Sequence, residues 1–356
     1  MRTLFQKILF AMCMLSCAML VAFNTEAMQA ARAGFDLWVE SLMPALLPFF
    51  ICTSLLKNTG LLTSATPFGL VLLSFVSGAP SGARLCGEAY GHEEAPTKLF
   101  AALNVISPMF IYGSFATSML GISRIATPVI LSLLFAVALS LPFAFRSVSQ
   151  KRNIIAPAAL QARPFSEALF DAIRSSMLAV LNICATVILF MVFLRLLLAS
   201  GALDVLAYPL EWLLGILGVT KELAKPLLSG IIEVSNGCKA LSALDLPIRI
   251  TAAVSAFFFS FGGLCVMAQS AGFVRIEAKK YLPFKFLQGL AAGTIAYFIT
   301  PLFITDIATV FEPFHEKTFS DNALSSSMIF AASLLGVATV ALLSAAAQRK
   351  RKKNRQ

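Results

Sequence analysis

Two apolar stretches of the chain are interrupted by glycine, proline or small polar residues, and each interruption runs on into a cation. The first reads Ser77-Gly78-Ala79-Pro80-Ser81-Gly82-Ala83-Arg84, the second Ser229-Gly230-Ile231-Ile232-Glu233-Val234-Ser235-Asn236-Gly237-Cys238-Lys239. Gly78, Pro80 and Gly82 favour tight turns and remove a backbone donor. A helix that restarts after such a turn offers unpaired N–H groups and a partial positive charge to an anion. Arg84 and Lys239 add full charges at equivalent places, one suited to a bidentate carboxylate contact and the other a point charge. The pattern predicts a small organic anion, best one with two carboxylates, held between two hairpin tips that also present Ser81, Ser235, Asn236 and Gly237. The structural alternative pairs Arg84 with Glu88 four residues on, and pairs Lys239 with Glu233 or lets it snorkel to the interface. Glu233 is an acid within an apolar stretch, where carboxylates are costly and tend to be functional. It is read as a cation ligand, a proton relay or the counter-charge of Lys239.

Two further motifs follow the interruptions. In Asn104-Val105-Ile106-Ser107-Pro108, Asn104 and Ser107 share a helical face just before a proline that frees a carbonyl in the preceding turn. Those oxygens suit Na+ or substrate; a kinked, packed span with an interhelical Asn hydrogen bond is the alternative. Ser260-Phe261-Gly262-Gly263, with Gln269 beyond it, reads either as a site or as close helix packing. Catalytic machinery is not indicated. His92 and His315 have no metal-ligand spacing, Ser81 has no intramembrane histidine as base, and no Gly-Lys-Ser/Thr phosphate loop occurs. The reading is therefore not an enzyme, with no cofactor and no resident metal. The seven cysteines form no CxxC pair and read as small packing residues.

These motifs need a membrane scaffold. Of 356 residues, 58% are apolar and 13% charged, against about 25% charged in a soluble domain. Mean hydropathy is +0.83. Backbone in a hydrocarbon core must bond to itself, so the expected fold is all-α and polytopic. The formal charge of +10 does not imply nucleic acid. Much of the excess lies in the Arg349–Arg355 tail behind an apolar run, an orientation signal that also suits anionic lipid.

Expected spans are 4–23, 35–57, 97–120, 125–145, 169–199, 248–272, 285–307 and 325–347. Arg146, Lys151, Arg152 and Arg163 place the 146–166 linker in the cytoplasm, as Arg275, Lys279, Lys280 and Lys285 place the loop around them. The acidic segment 308–324 then lies outside. Eight crossings with both termini cytoplasmic satisfy these assignments if 61–92 and 202–246 are re-entrant hairpins entering from opposite sides. The run Ile8–Phe23 is read as an uncleaved span, with a signal peptide cleaved near Ala27 as the alternative. Trp38 and Trp212 are expected at the membrane interfaces.

The halves resemble each other. Phe35-Asp36 and Phe170-Asp171 each open a long helix, Ser77-Gly78 and Ser229-Gly230 lie 152 positions apart, and Ala101-Ala102 and Ala252-Ala253 lie 151 apart. Three crossings separate equivalent starts, which inverts the second unit, an arrangement known in transporters. The expected organisation is an N-terminal span 1–33, a first repeat 34–145, the linker 146–166, a second repeat 167–308, and a final span with the basic tail 309–356.

The run Gly34-Phe35-Asp36-Leu37-Trp38 continuing to Leu42-Met43-Pro44-Ala45-Leu46-Leu47-Pro48-Phe49-Phe50 resembles the YlbJ-like sporulation integral membrane proteins. So do Ser77–Arg84, Asn104–Gly113, Glu233, Gly237 with Lys239, and Ser260–Gly263, over about 30–310. The resemblance implies two nucleoside-recognition Gate domains, distantly similar to concentrative nucleoside carriers. It implies a carrier of dipicolinic acid in the outer forespore membrane, which fits the substrate residues read from the interruptions and the motifs after them: Gly78, Ser81, Gly82, Arg84, Asn104, Ser107, Glu233, Ser235, Asn236, Gly237, Lys239 and Ser260. Partners would be the small organic anion, a coupling ion (Na+ or H+) and the lipid bilayer, with a homo-oligomer left open. The Gln-Thr-Glu hairpin sequence of nucleoside carriers is missing from Gly78–Arg84, which makes a nucleoside or cation cargo the alternative. A membrane scaffold for spore assembly, acting through its loops and basic tail, is the non-transport alternative.

Overall fold

The computed structural model describes residues 2–58, 67–148, 164–216 and 218–304. The expected span 325–347, the acidic segment, the basic tail and most of the 146–166 linker lie outside them. Every regular element among the described residues is helical, and the chain is an all-α polytopic membrane protein. Among the described residues, four helical runs are long and apolar enough to cross a hydrocarbon core: Ser123–Arg146, Phe165–Ala199, Ile248–Ala271 and Ala278–Phe303. A fifth candidate is a bent pair, Phe10–Ala22 and Asn24–Leu42, meeting at 98°.

Helices α1 (Arg2–Ala22) and α2 (Asn24–Leu37) lead through one π-helical turn, Trp38–Leu42, into α3 (Met43–Asn58). The expected 33/34 boundary therefore falls inside α2, and the expected span 35–57 contains that turn. Helices α2 and α3 lie along α8 (Phe165–Ala199). Gly34 permits the approach, since a Cβ there would stand 3.2 Å from the Ile188 Cα. Trp38 faces the protein interior and is no exposed anchor: it is 5% exposed, and its Nε1 donates to the Val180 carbonyl of α8 at 3.0 Å. A buried indole needs such an acceptor, and the π turn aims it at one. Trp212 is exposed on α9 (Ala202–Ile216).

The rest of the chain repeats one order of elements. Two short helices, α4 (Pro67–Ser77) and α5 (Ser81–Tyr90), are followed by a broken helix, α6 (Thr97–Leu103) and a π-helical half Phe110–Met119, and then by the long α7 (Ala126–Val148). In the second half come α10 (Ala224–Ile232) and α11 (Val234–Ser242), the broken pair α12 (Ile248–Phe261) and α13 (Gly263–Ala271), and the long α14 (Ala278–Phe303). Helices α4, α5, α10 and α11 have 11, 10, 9 and 9 residues. At about 1.5 Å per residue each spans about half of a 30 Å hydrocarbon core. The expected crossing 97–120 is thus two pieces, whereas 248–272 is matched by the candidate span Ile248–Ala271, with a helical break at Gly262.

Helix α14 is the centrepiece, packed along α12, α7 and α6. A buried apolar cluster joins these helices to both short pairs, and a second joins Trp38, Leu46 and Phe50 to α8. Phe259 stands edge-on to Phe115 and Phe110, at 5.2 Å and 6.2 Å between centroids, and so ties one broken helix to the other. Each such pair adds about 0.5–1.5 kcal/mol beyond its buried area.

Candidate substrate site

Proline and glycine make the breaks. Pro108 lacks the N–H that would have bonded the Asn104 carbonyl four residues back, and it disfavours helical backbone at Ser107. Helix α6 accordingly ends at Leu103, and Asn104 leaves the helical region at φ −89°, ψ 65°. The Ser107 hydroxyl accepts the Phe110 N–H at 3.2 Å and caps the second half. In the other broken helix Gly262 and Gly263 both take left-handed backbone, φ 83° and 71°. Gly78 turns the first hairpin at φ 74°. The second hairpin turns at Glu233, an extended residue at φ −145°, ψ 120°.

All four breaks meet. The Ala79 N–H donates to the Val105 carbonyl at 2.6 Å, and the Ile106 N–H to the Phe259 carbonyl at 2.9 Å. A Cβ on Gly78 would lie 2.4 Å from the Ser107 nitrogen, and one on Gly263 would press on the Gly230, Ile231 and Ile232 carbonyl oxygens at 3.2–3.3 Å. Gly237 lets α11 cross α10, because a Cβ there would come within 2.2 Å of the Gly230 Cα. Irregular backbone is tolerated at membrane depth where it is packed in protein or lines a cavity, and here it does both.

Beside the meeting point lies a cavity of about 380 Å³, within the usual range for small-molecule sites. Its lining takes Ser77 and Ala79 from the first tip, Ile106 and Ser107 from the first break, Glu233 and Ser235 from the second tip, and Cys265 and Gln269 beyond the second break. Ser114 and Ser118 of the π-helical half and Glu40 and Ser41 of the π turn complete the polar part. No Lys or Arg lines it among the described residues. Glu233, 5% exposed, accepts the Ser235 and Asn236 N–H groups at 2.9 Å and 2.8 Å and so caps α11 with its own carboxylate.

The expected cations do not join this cavity. Arg84 is 4% exposed and its Nε donates to Glu88 at 3.2 Å. Its guanidinium lies 4.2 Å over the Phe50 ring and bonds the Ser54 hydroxyl. It lines a separate cavity of about 330 Å³ with Ser54, Asn58, Glu88 and Arg174. The i,i+4 alternative is thus the geometry observed. Lys239 is exposed on α11, and Glu233 spends both carboxylate oxygens on the backbone cap. Ser81 and Ser260 are fully buried with hydroxyls that find no partner among the described residues, and a Cβ on Gly82 would lie 3.0 Å from Leu103.

Asn104 is buried, and its amide nitrogen donates to the Ser270 hydroxyl at 2.8 Å and the Tyr281 hydroxyl at 3.2 Å. That is the interhelical bond of the packing alternative. The carbonyls left over at this break are taken by α14. Lys285 Nζ donates to the Asn104 carbonyl at 2.8 Å and to Gln288 Oε1 at 3.0 Å. Gln288 Nε2 donates to the Ala102 carbonyl and the Ser140 hydroxyl, each at 3.0 Å. Lys285 is 0% exposed, so it is not a loop charge. In sequence it stands beside Lys279 and Lys280, which hid it, although its i,i+3 spacing to Gln288 was visible. Glu40 was equally visible as an acid inside an expected span.

No group of three or more His, Cys, Asp or Glu side chains able to hold a metal ion occurs among the described residues. No family model matches the chain, and no solved structure matches it. The chain is similar to the sporulation integral membrane protein YlbJ of Bacillus subtilis (strain 168), with 29% identity over 320 residues and 78% of each chain covered. That similarity supports the likeness to the YlbJ-like proteins.

Proposed function

We propose that this chain is a membrane carrier that moves a small polar organic solute through the cavity where two hairpins and two broken helices meet. The convergence of all four breaks on one 380 Å³ cavity carries the reading. Discontinuous helices at the centre of a repeated fold are how many secondary transporters bind their cargo and coupling ions. The two hairpin units would rock or gate about this point, giving alternating access from either side.

The Bacillus relative is named as a sporulation protein, which makes spore formation the proposed setting and the outer forespore membrane the proposed location. Dipicolinate is the first solute to test. The lining offers serine hydroxyls, the Gln269 amide and the acids Glu40 and Glu233, with no cation among the described residues. A dianion entering there needs its charge offset, so it would travel with cations, Na+ or H+, held at the two carboxylates. The same lining favours a second reading, an uncharged nucleoside held by hydrogen bonds alone.

The test is uptake of labelled dipicolinate and of nucleosides by proteoliposomes, with Gly78→Ala as the disabled control. Saturable uptake of one solute, lost in Gly78→Ala, is expected. Neither uptake nor binding of either solute, from protein shown to be folded, would overturn the carrier reading and leave the scaffold.

A further inference from the structure

A buried lysine without a carboxylate partner needs a reason. Lys285 lies in the interior of α14, is 0% exposed, and makes its two hydrogen bonds to neutral oxygens, the Asn104 carbonyl and Gln288 Oε1. It forms no ion pair among the described residues. Burying an ammonium in this way costs several kcal/mol of hydration, recovered only in part by neutral acceptors. Pro108 explains what the ammonium finds there: it cannot donate to the Asn104 carbonyl, so that oxygen is free at the C-terminal end of α6. The end of a half-helix carries partial negative charge, and unwound carbonyls at such ends are where broken-helix carriers hold a coupling cation.

Two neutral oxygens, the Asn104 carbonyl and Gln288 Oε1, face the ammonium, and Gln288 is itself held by donating Nε2 to the Ala102 carbonyl and the Ser140 hydroxyl. On the same residue Asn104 Oδ1 is buried with no partner among the described residues. Oxygens of this neutral kind suit a hard monovalent cation. The break is continuous with the substrate cavity, since Ile106 and Ser107 line it two and three residues further on.

We propose that the Lys285 ammonium is the resident cation of this break, standing where a free Na+ would otherwise bind. The inference rests on the carrier reading only for its functional meaning: any ion coupling then acts elsewhere, at the Glu40 and Glu233 carboxylates. The site itself can be tested without transport.

The experiment is thermal unfolding of the purified full-length chain in detergent, in sodium chloride against choline chloride of equal concentration. It compares wild type, Lys285→Ala, which opens the space, and Lys285→Met, which fills it without charge. In Lys285→Ala, Na+ is expected to raise Tm by about 2–4 °C over choline, with methylammonium acting likewise. Wild type and Lys285→Met should show no comparable difference. A Lys285→Ala protein obtainable only in sodium or methylammonium salt counts as the same result. Equal Tm for Lys285→Ala in Na+ and choline overturns the proposal, as does the same Na+ response in wild type. Failure of Lys285→Ala to fold in every salt also overturns it, because no external cation then takes the lysine's place. An intact Na+ effect with no uptake of any solute would instead count against the carrier reading and leave the cation site standing.

Discussion

At the residue scale, charge and its neighbours separate roles that look alike in sequence. Arg84 and Lys239 occupy parallel positions in the two interruptions, yet one is buried on Glu88, Ser54 and the Phe50 ring and the other is exposed. Lys239→Ala is expected to change stability by no more than about 0.5 kcal/mol, as surface substitutions do, and to leave uptake near wild type. Arg84→Ala strips the part-buried Glu88 carboxylate of its ion pair and empties the space over the Phe50 ring, and is expected to lose about 1–3 kcal/mol. Unfolding of the two variants beside uptake by whichever protein remains folded checks both. Glu233→Gln keeps the size of the α11 cap but loses its charge and puts an NH2, which cannot accept, where one carboxylate oxygen accepts an N–H, a loss of about 1–3 kcal/mol that should lower Tm. Partner choice is where the sequence was least legible. The Arg84–Glu88 spacing was visible, but nothing local shows that Glu233 turns its oxygens onto Ser235 and Asn236 rather than Lys239. Lys285 was hidden for a different reason: its depth depends on α14 beginning at Ala278 and running inward past α6.

At the element scale, the breaks themselves were readable. Gly78, Pro108 and Gly262-Gly263 each forbid or discourage a continuous helix by backbone chemistry that needs no tertiary context. The crossings expected at 97–120 and 248–272 follow overall hydropathy, which survives a break, so Pro108 and the glycine pair were the local signals against unbroken helices there. The π turn at Trp38–Leu42 left no signal at all, although it buries Trp38 and brings Glu40 to the cavity. Glycine substitutions test this scale. Gly78→Ala and Gly237→Ala place a methyl 2.4 Å and 2.2 Å from backbone atoms, so both should lower Tm and abolish uptake. At Gly78 the left-handed φ alone adds about 1–2 kcal/mol. Gly113→Ala lies on the same cavity, meets nothing within 4 Å, and should be tolerated.

At the scale of the whole molecule, the loops report sidedness. The Arg275 N–H donates to the His92 carbonyl at 2.8 Å, and its guanidinium meets Glu93 at 2.9 Å. The loop after the first hairpin and the loop before α14 therefore share one face, as the charge-based topology requires if the first hairpin enters from the cytoplasm. Cysteines introduced at Glu94 and Ala271 should react with an impermeant reagent from the same side, and labelling from opposite sides would break that topology. The hydrogen bond from Arg275, with its charge, holds the Glu93 carboxyl below the usual carboxylate range. Its contribution to stability is present above the ordinary carboxylate pKa of about 4 and fades as pH falls through the lowered folded value. Arg275→Ala should weaken that acid-side dependence in a pH series of Tm, leaving the part that His92 supplies.

One feature of the second hairpin reaches beyond stability. The α11 helix start, with Ser235 and Asn236 N–H groups that an anion would seek, arrives already satisfied by the carboxylate of its own chain. An incoming carboxylate can win those N–H groups only by evicting Glu233, so its net gain is the difference between two similar contacts. For the proposed carrier, recognition of this kind would trade grip for speed: an anion would load loosely and leave quickly, because the Glu233 carboxylate stands ready to take back the Ser235 and Asn236 donors.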